Sequence, residues 1–539
     1  MEKWWQKSVF YQIYPRSFQD SNHDGIGDLK GVIQRLPYLQ SLGINAIWLS
    51  PVFASPNIDN GYDISDYCAI MPEFGDMAIM TELIEESKKR NIRIIIDLVV
   101  NHTSNQHPWF QKALAGETSY KEYYLFRDGH DSEPPNNLQS FFGGSAWEYL
   151  PEQNQYYFHL FAKEQPDLNW HNPALRAEIW KIMRFWRDKG IGGFRLDVID
   201  LIGKEPDDGI IGNGPMLHPY LQEMYSEVLE GTDLVTIGET GSVTTETAPL
   251  FTNPERKELS MVFQFQHMAL DEIKGKTKWD LQDLQIKDLK SVLSKWQTEL
   301  PTTAWNSLFW SNHDQPRILS RWGNPAYPTQ SAQMLAILLH MMRGTPFIYQ
   351  GEELGMTNQV ITNVEQLDDI ESINYYHNQI AHGSISRKAL LSINAKGRDN
   401  ARTPMQWSAD KYAGFSTCEP WYPINSNFKT INAKSQISNP DSLFHTYRQL
   451  IRLRKENEIV QKGKYELLNT KENIFAYTRQ LEKDIWLVCG NFSDQPQQFT
   501  LPTASEKTIL SNYHKTYEGK HTLLLEPYES FIIEIASNY

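Results

Sequence analysis

The chain reads as an α/β protein. The expected architecture is a (β/α)8 (TIM) barrel with a small domain inserted after strand 3 and a C-terminal antiparallel β-sandwich domain. Three observations predict it. Eight short apolar runs alternate with helical stretches, the count of such a barrel. The alternation breaks over residues 103–171, a stretch too long for a plain loop. Beyond residue 460 only strand signals remain. The bounds that follow are 1–102 and 172–460 for the barrel, 103–171 for the insertion and 461–539 for the β domain.

Residues 9–14 form the first expected strand, and a polar loop at 20–28 leads into a helix ending near Leu42. Residues 46–50 are the second strand. A helix over 78–89 precedes 92–100, whose unbroken β-branched run indicates a strand buried on both faces. Within the insertion, 123–126 and 156–161 read as short strands. Asn172 and Pro173 then suit a helix start, and Leu175, Ile179, Ile182, Met183 and Trp186 recur at helical spacing. Gly190 suits the position just past its end. The fourth strand is 191–198. The fifth, 234–238, ends at Glu239. The sixth is 260–265, the seventh 307–310 and the eighth 346–350. A polar, irregular stretch over 358–423, a last helix over 442–455 and strands such as 485–488 and 530–533 complete the chain.

With 539 residues, 40% apolar and 22% charged, the chain is an ordinary globular protein of several domains. Its net charge of -15 argues against nucleic acid or an anionic membrane as a partner. Cys68, Cys418 and Cys489 are odd in number and match no metal spacing, which suits buried free thiols in a reducing cytoplasm. The first residues carry no signal-peptide core and no run is long enough to span a bilayer. A cytoplasmic monomer acting on a small molecule is the expectation.

Asp97, Asp197, Glu239 and Asp314 each fall at or near the carboxyl end of an expected strand, where parallel α/β folds meet ligands. Asp197 and Glu239 end neighbouring strands, which lie about 4.8 Å apart. Retaining glycosidases hold their two carboxyls at about 5–5.5 Å. Arg195, projecting on the same side as Asp197, is expected to keep that carboxyl ionised. In the 20–28 loop, oxygen side chains alternate around Gly25 in the opening pattern of a calcium loop, although Gly31 stands where its last Glu belongs.

These residues resemble the α-amylase family of glycoside hydrolases along the whole chain. The motifs are those at 97–102, 193–197, Glu239 and 312–314. Within the family, 60–63, 165–170 and 396–407 are similar to the oligo-1,6-glucosidase and dextran glucosidase subgroup. The resemblance implies that Asp197 is the nucleophile, Glu239 the acid/base and Asp314 the stabiliser of the transition state. It implies that Tyr62 stacks on the terminal glucose, that Asp63 and Arg398 bind its 4-hydroxyl and close the pocket, and that His102, Gln165, Arg195 and His313 hold the ring. A closed pocket implies release of one glucose at a time from a small oligosaccharide. Val198, after the nucleophile, goes with α-1,6 bonds in this subgroup; Gly241, where dextran glucosidases carry Trp, favours short isomalto-oligosaccharides. Glu371 falls on the aglycone side. The resemblance also supports a structural Ca2+ at Asp20, Asn22, Asp24, Ile26 (through its carbonyl) and Asp28. Trehalose-6-phosphate hydrolases share most of these motifs and are the nearest alternative. Transporter heavy-chain ectodomains share the fold, but often lack the carboxylates kept here.

Overall fold

The structure is a computed structural model and describes residues 3–128 and 133–536. Eight parallel strands build the centre: β1 (Phe10–Ile13), β2 (Ala46–Leu49), β3 (Arg93–Val99), β4 (Gly193–Asp197), β5 (Val235–Glu239), β6 (Met261–Phe263), β7 (Ser307–Phe309) and β8 (Thr345–Tyr349). They are ordered β6-β5-β4-β3-β2-β1-β8-β7. The ring is nearly closed. A single bridge, Val262 to Asn306, joins β6 to the chain entering β7, while every other junction holds at least three paired positions.

Local chemistry explains the elements. Every residue of β4 is buried, as its apolar run requires. The helix Pro173–Asp188 starts where the Asn172 side chain accepts from the Ala174 and Leu175 N–H groups, and it buries Leu175, Ile179, Ile182, Met183 and Trp186. Gly190 follows in the left-handed conformation (φ 90°). The helix Leu29–Leu42 is capped by Asp28, which accepts from Gly31 N–H, and stops at Gly43 (φ 100°).

The insertion holds two short helices, Pro108–Leu114 and Thr118–Lys121, and a three-stranded antiparallel sheet. Its strands are Phe126–Asp128, Gln155–Phe158 and Trp147–Leu150. The first two lie close to the expected positions, and the third is an addition: Trp147-Glu148-Tyr149-Leu150 lacks a clean alternation. Leu125, Trp147, Tyr156, Phe158 and Leu160 form an apolar cluster completed by Leu201, with Val198 packed on it, so the insertion is anchored to the end of β4. The stretch expected to be irregular after β8 contains a helical hairpin, Ile370–Ala381 and Ser386–Lys396. Its first helix fully buries only Ser372, while Ile373, Tyr375 and Tyr376 are half-buried on a small cluster with Trp279, Ile361 and Ile393, apart from the barrel core.

At the C-terminus a five-stranded antiparallel sheet packs against a two-stranded ribbon. One face, with Leu487, Cys489, Phe531 and Ile533, meets Phe499, Leu523 and Leu525 of the ribbon. The other, with Phe475, Tyr477, Val488 and Ile532, joins the barrel core. Alternate residues of one strand thus serve two cores.

Candidate active site

Parallel register sets the site. Asp97 pairs with Arg195 across β3 and β4, and Ile237 pairs with Arg195 across β4 and β5. Asp197 and Glu239, each two residues further along, therefore emerge side by side at the carboxyl ends. Arg195, 1% exposed, ties the acids together. Its Nη1 donates to Asp97 Oδ1 at 2.8 Å and to Asp197 Oδ1 at 2.6 Å, and its Nη2 lies 2.6 Å from Glu239 Oε2. Glu239 Oε2 also accepts from the Val198 backbone N–H at 3.1 Å.

That last bond fixes an unusual conformation. Val198 is left-handed, with φ 35° and ψ 45°. A β-branched residue pays steric strain there, so the surroundings must hold it. Here the amide is tethered to Glu239 and the side chain is half-buried on the insertion's apolar cluster.

A chain of hydrogen bonds supports the acids from beneath. Gln12 Nε2 donates to His313 Nδ1 at 2.8 Å, which leaves the proton on Nε2 facing Tyr62 Oη at 2.6 Å. Tyr62 O–H then donates to Asp97 Oδ2 at 2.9 Å, and Trp48 Nε1 donates to the same oxygen. Burial pulls His313 down to about 3 and His102 to about 4, so both rings are neutral at neutral pH. His102 lies 3.2 Å from Gln165 Nε2.

Burial, then the charges of Glu239 and Asp97, push the Asp197 carboxyl well above its usual range in spite of Arg195. Asp97 is pushed up to about 6, by burial first. This corrects the expectation that Arg195 alone keeps Asp197 ionised: one guanidinium is shared by three acids. Asp314 goes the other way. Burial raises it, but His313, Arg398 and Arg402 outweigh burial and hold it well below the usual range. Arg402 Nη2 donates to Asp314 Oδ1 at 3.1 Å.

The end wall brings a second correction. Asp63 does not meet Arg398. Its carboxylate accepts the Ile58 and Asp59 backbone N–H groups and closes a turn. Asp59 takes the place: Arg398 Nη2 lies 3.1 Å from Asp59 Oδ1, and Gln165 Nε2 donates to Asp59 Oδ2. Arg398 also bonds Asp369 at 2.6 Å, lies 3.5 Å from Glu371 and stands over the Phe142 ring at 5.0 Å. Asp59, Phe142 and the bond from Arg402 to Asp314 had no spacing signal, and Asp369, in the segment with Glu371 expected on the aglycone side, bonds Arg398. Glu371 is held by Lys278 at 2.5 Å, so that cation is already paired.

The other expected residues gather elsewhere. In the 20–28 loop, Asp20 accepts from the Asn22, His23 and Gly25 N–H groups and from Ser416 Oγ. Asp24 accepts from Ile26 N–H, and Asp28 accepts from Ser21 and Gly31. Among the described residues no three His, Cys, Asp or Glu side chains converge as a metal cluster. The loop does supply hard oxygen donors: each Asp24 oxygen accepts one hydrogen bond and keeps a lone pair, whereas both Asp20 oxygens already accept two, and the Ile26 carbonyl accepts no backbone hydrogen bond.

Comparison with known proteins agrees with this geometry. The profile for "Alpha amylase, catalytic domain" matches residues 12–463, and that for the "Alpha-amylase SusG C-terminal domain" matches 474–532. The chain is 51% identical to the glucan 1,6-alpha-glucosidase of Streptococcus pneumoniae, over 99% of both chains. It is 50% identical to the oligo-1,6-glucosidase of Bacillus cereus, over 99% of this chain and all of that one. The solved Bacillus licheniformis trehalose-6-phosphate hydrolase superposes with a TM-score of 0.95 at 43% identity, covering 99% of this chain and all of that one.

Proposed function

The chain belongs to the α-amylase family of glycoside hydrolases, and from that premise we propose that it releases glucose from the non-reducing end of short α-1,6-linked isomalto-oligosaccharides. The observation that carries the reading is the fork of Arg195 on three carboxyls beside a wall closed by Arg398, Asp59 and Asp369. Asp197 attacks the anomeric carbon through the oxygen not engaged by Arg195, and the bond to the leaving oxygen breaks. Glu239 gives that oxygen its proton, leaving a glycosyl ester on Asp197. Glu239 then takes a proton from water, whose oxygen attacks the same carbon and restores Asp197. Two inversions retain the α configuration. Asp314, kept ionised, bonds ring hydroxyls as positive charge develops on the sugar, and Tyr62 stacks on its face.

Linkage choice is assigned to Val198 on the aglycone side. An α-1,6 bond carries an extra rotatable carbon that swings the second sugar away from the Val methyls; an α-1,4 bond crowds them. A clash of about 1–3 kcal/mol gives about 10–200-fold discrimination. kcat/KM for isomaltose and maltose in the wild type and Val198→Ala tests this. The maltose value rises relative to isomaltose in the variant, and an unmoved ratio counts against the assignment. Trehalose 6-phosphate belongs in the same panel as the second reading, which the pairing of Lys278 with Glu371 disfavours because it leaves no spare cation there.

For the 20–28 loop the reading is a structural Ca2+ held by Asp20, Asn22, Asp24, the Ile26 carbonyl and Asp28. Its support is the alternating set of oxygen donors around left-handed Gly25 (φ 90°), beside which the Glu419 carbonyl leaves no room for a Cβ. Chelation lowers Tm while the protein still folded keeps its activity; unchanged Tm with EDTA and with added Ca2+ removes the ion. Only Cys489 is buried as expected, Cys68 being exposed and Cys418 half-buried; three free cysteines support a cytoplasmic setting, and a single gel-filtration species of 62.6 kDa is expected for the monomer.

A further inference from the structure

A second cluster of arginines, Arg454 and Arg479 buried and Arg343 half-buried, lies at the opposite end of the barrel. Arg343 precedes β8, Arg454 lies on the helix Leu443–Glu456, and Arg479 lies on the C-terminal strand Ile474–Leu481. Arg343 and Arg479 line a cavity of about 630 Å³ with Gln6, Gln297, Lys464 and Tyr465. Gln6 lies just before β1 and Arg343 just before β8, so the cavity opens at the amino ends of the strands, away from Asp197.

No lining residue of this cavity is acidic. Each arginine is oriented by carbonyls instead. Arg343 Nη2 donates to the Thr302 and Ala304 carbonyls at 2.6 Å. Arg479 Nη2 donates to the Val460 carbonyl at 2.9 Å and its Nη1 to Gln297 Oε1 at 3.3 Å. Arg454, just behind, donates to the carbonyls of His340, Met342 and Gly344. These dipoles set direction, but they do not cancel three whole charges. Arg479, 1% exposed, keeps its Nε without an acceptor. Burial without a carboxylate to offset it pulls Arg343 and Arg479 down to about 10, and Arg343 adds to the effect on Arg479. Lys464 stands exposed at the rim; Lys462 is already engaged by Glu458 at 3.0 Å. In a chain of net charge -15, a cationic cavity with no acid in its lining is an exception that asks for a counter-ion.

We propose that this cavity binds a phosphate-bearing anion, either inorganic phosphate or a phosphate ester. Guanidinium and ammonium groups match the several oxygens of a phosphate, and Gln6 supplies an amide beside them. The volume exceeds one phosphate and admits an ester carrying a group the size of a sugar.

Thermal shift and calorimetric titration of the whole protein test the site. The probes are sodium phosphate, glucose 6-phosphate and glucose, with sodium chloride at matched ionic strength. Phosphate and glucose 6-phosphate raise Tm saturably, chloride and glucose do not, and a tighter fit of glucose 6-phosphate identifies the ester as the ligand. Arg343→Gln and Lys464→Gln each weaken phosphate binding at least fivefold while kcat on isomaltose is unchanged. Because Lys464 is exposed, its variant carries the test if Arg343→Gln misfolds. A chloride effect equal to that of phosphate, glucose binding as tightly as glucose 6-phosphate, or wild-type affinity in the folded variants overturns the proposal.

Discussion

The two ends of the barrel use buried arginine in opposite ways. At the carboxyl ends, Arg195 meets three carboxyls and Arg398 meets Asp59, Asp314, Asp369 and Glu371. At the amino ends, Arg343, Arg454 and Arg479 bond carbonyl and amide oxygens, and no carboxylate is paired with them among the described residues. A guanidinium among acids sets their protonation and aims their oxygens, which is chemistry. Arg454, wholly among carbonyls, closes a helix end, which is architecture, and Arg343 and Arg479 are left with charge that no acid offsets. Residue type is the same at both ends; the partners decide the role.

Breaking the chemical end has the largest effect. Asp197→Asn keeps the shape but forms no glycosyl ester, so kcat falls by about 10⁴-fold or more with Tm held. Near-wild-type turnover of the folded variant ends the mechanism. The architectural end responds in the other coin. Arg454→Met strands three buried carbonyls and lowers stability by about 3 kcal/mol, read from the urea midpoint, with kcat unchanged. A drop in kcat at constant stability erases the contrast. Arg398→Lys sharpens it, because an ammonium cannot fork between Asp59 and Asp369. A loss of about 1.5–3 kcal/mol, or about 10–100-fold in kcat/KM, is expected; no loss means the fork is not used.

The smallest effect is on pH. Asp197 must be ionised to attack, and its carboxyl, raised by burial and by Glu239 and Asp97, holds its proton to higher pH than an ordinary carboxylate. Activity therefore falls on acidification at a higher pH than an ordinary aspartate would set. Asp97→Asn removes one neighbouring charge and moves the residual activity's acidic limb downward. A wild-type profile flat to pH 4.5 contradicts the crowding.

What could be read from the sequence follows the same division. Strands β3, β4 and β5 announced themselves as apolar runs ending in acids, because burial on both faces demands the run and strand polarity places the acid. Asp59 and Asp63 could not be told apart that way. Both lie in one loop, and only the fold shows that left-handed Asn60 and Gly61 turn the chain so that Asp63 faces backbone N–H groups and Asp59 faces Arg398. Phe142 was hidden for a similar reason: it reaches Arg398 across 256 residues of sequence distance, from a different domain. The helical hairpin after β8 was missed because its first helix lays Ile373, Tyr375 and Tyr376 on a small separate cluster and not on the barrel core.

The single bridge between β6 and β7 bears on motion. Local opening costs least where a sheet has fewest paired positions, so this seam is where the barrel breathes first, and backbone amides of Met261–Phe263 and Ser307–Phe309 should exchange with deuterium ahead of those in β3 and β4. Asp197 stands on the rigid side of the ring. Asp314 stands just beyond the loose side, moored by Arg398 and Arg402 instead of by a continuous ladder. Each excursion of the seam would then carry Asp314 toward or away from a stationary Asp197, so the two arginines act as the hawsers that keep the two carboxyls of the proposed mechanism in step.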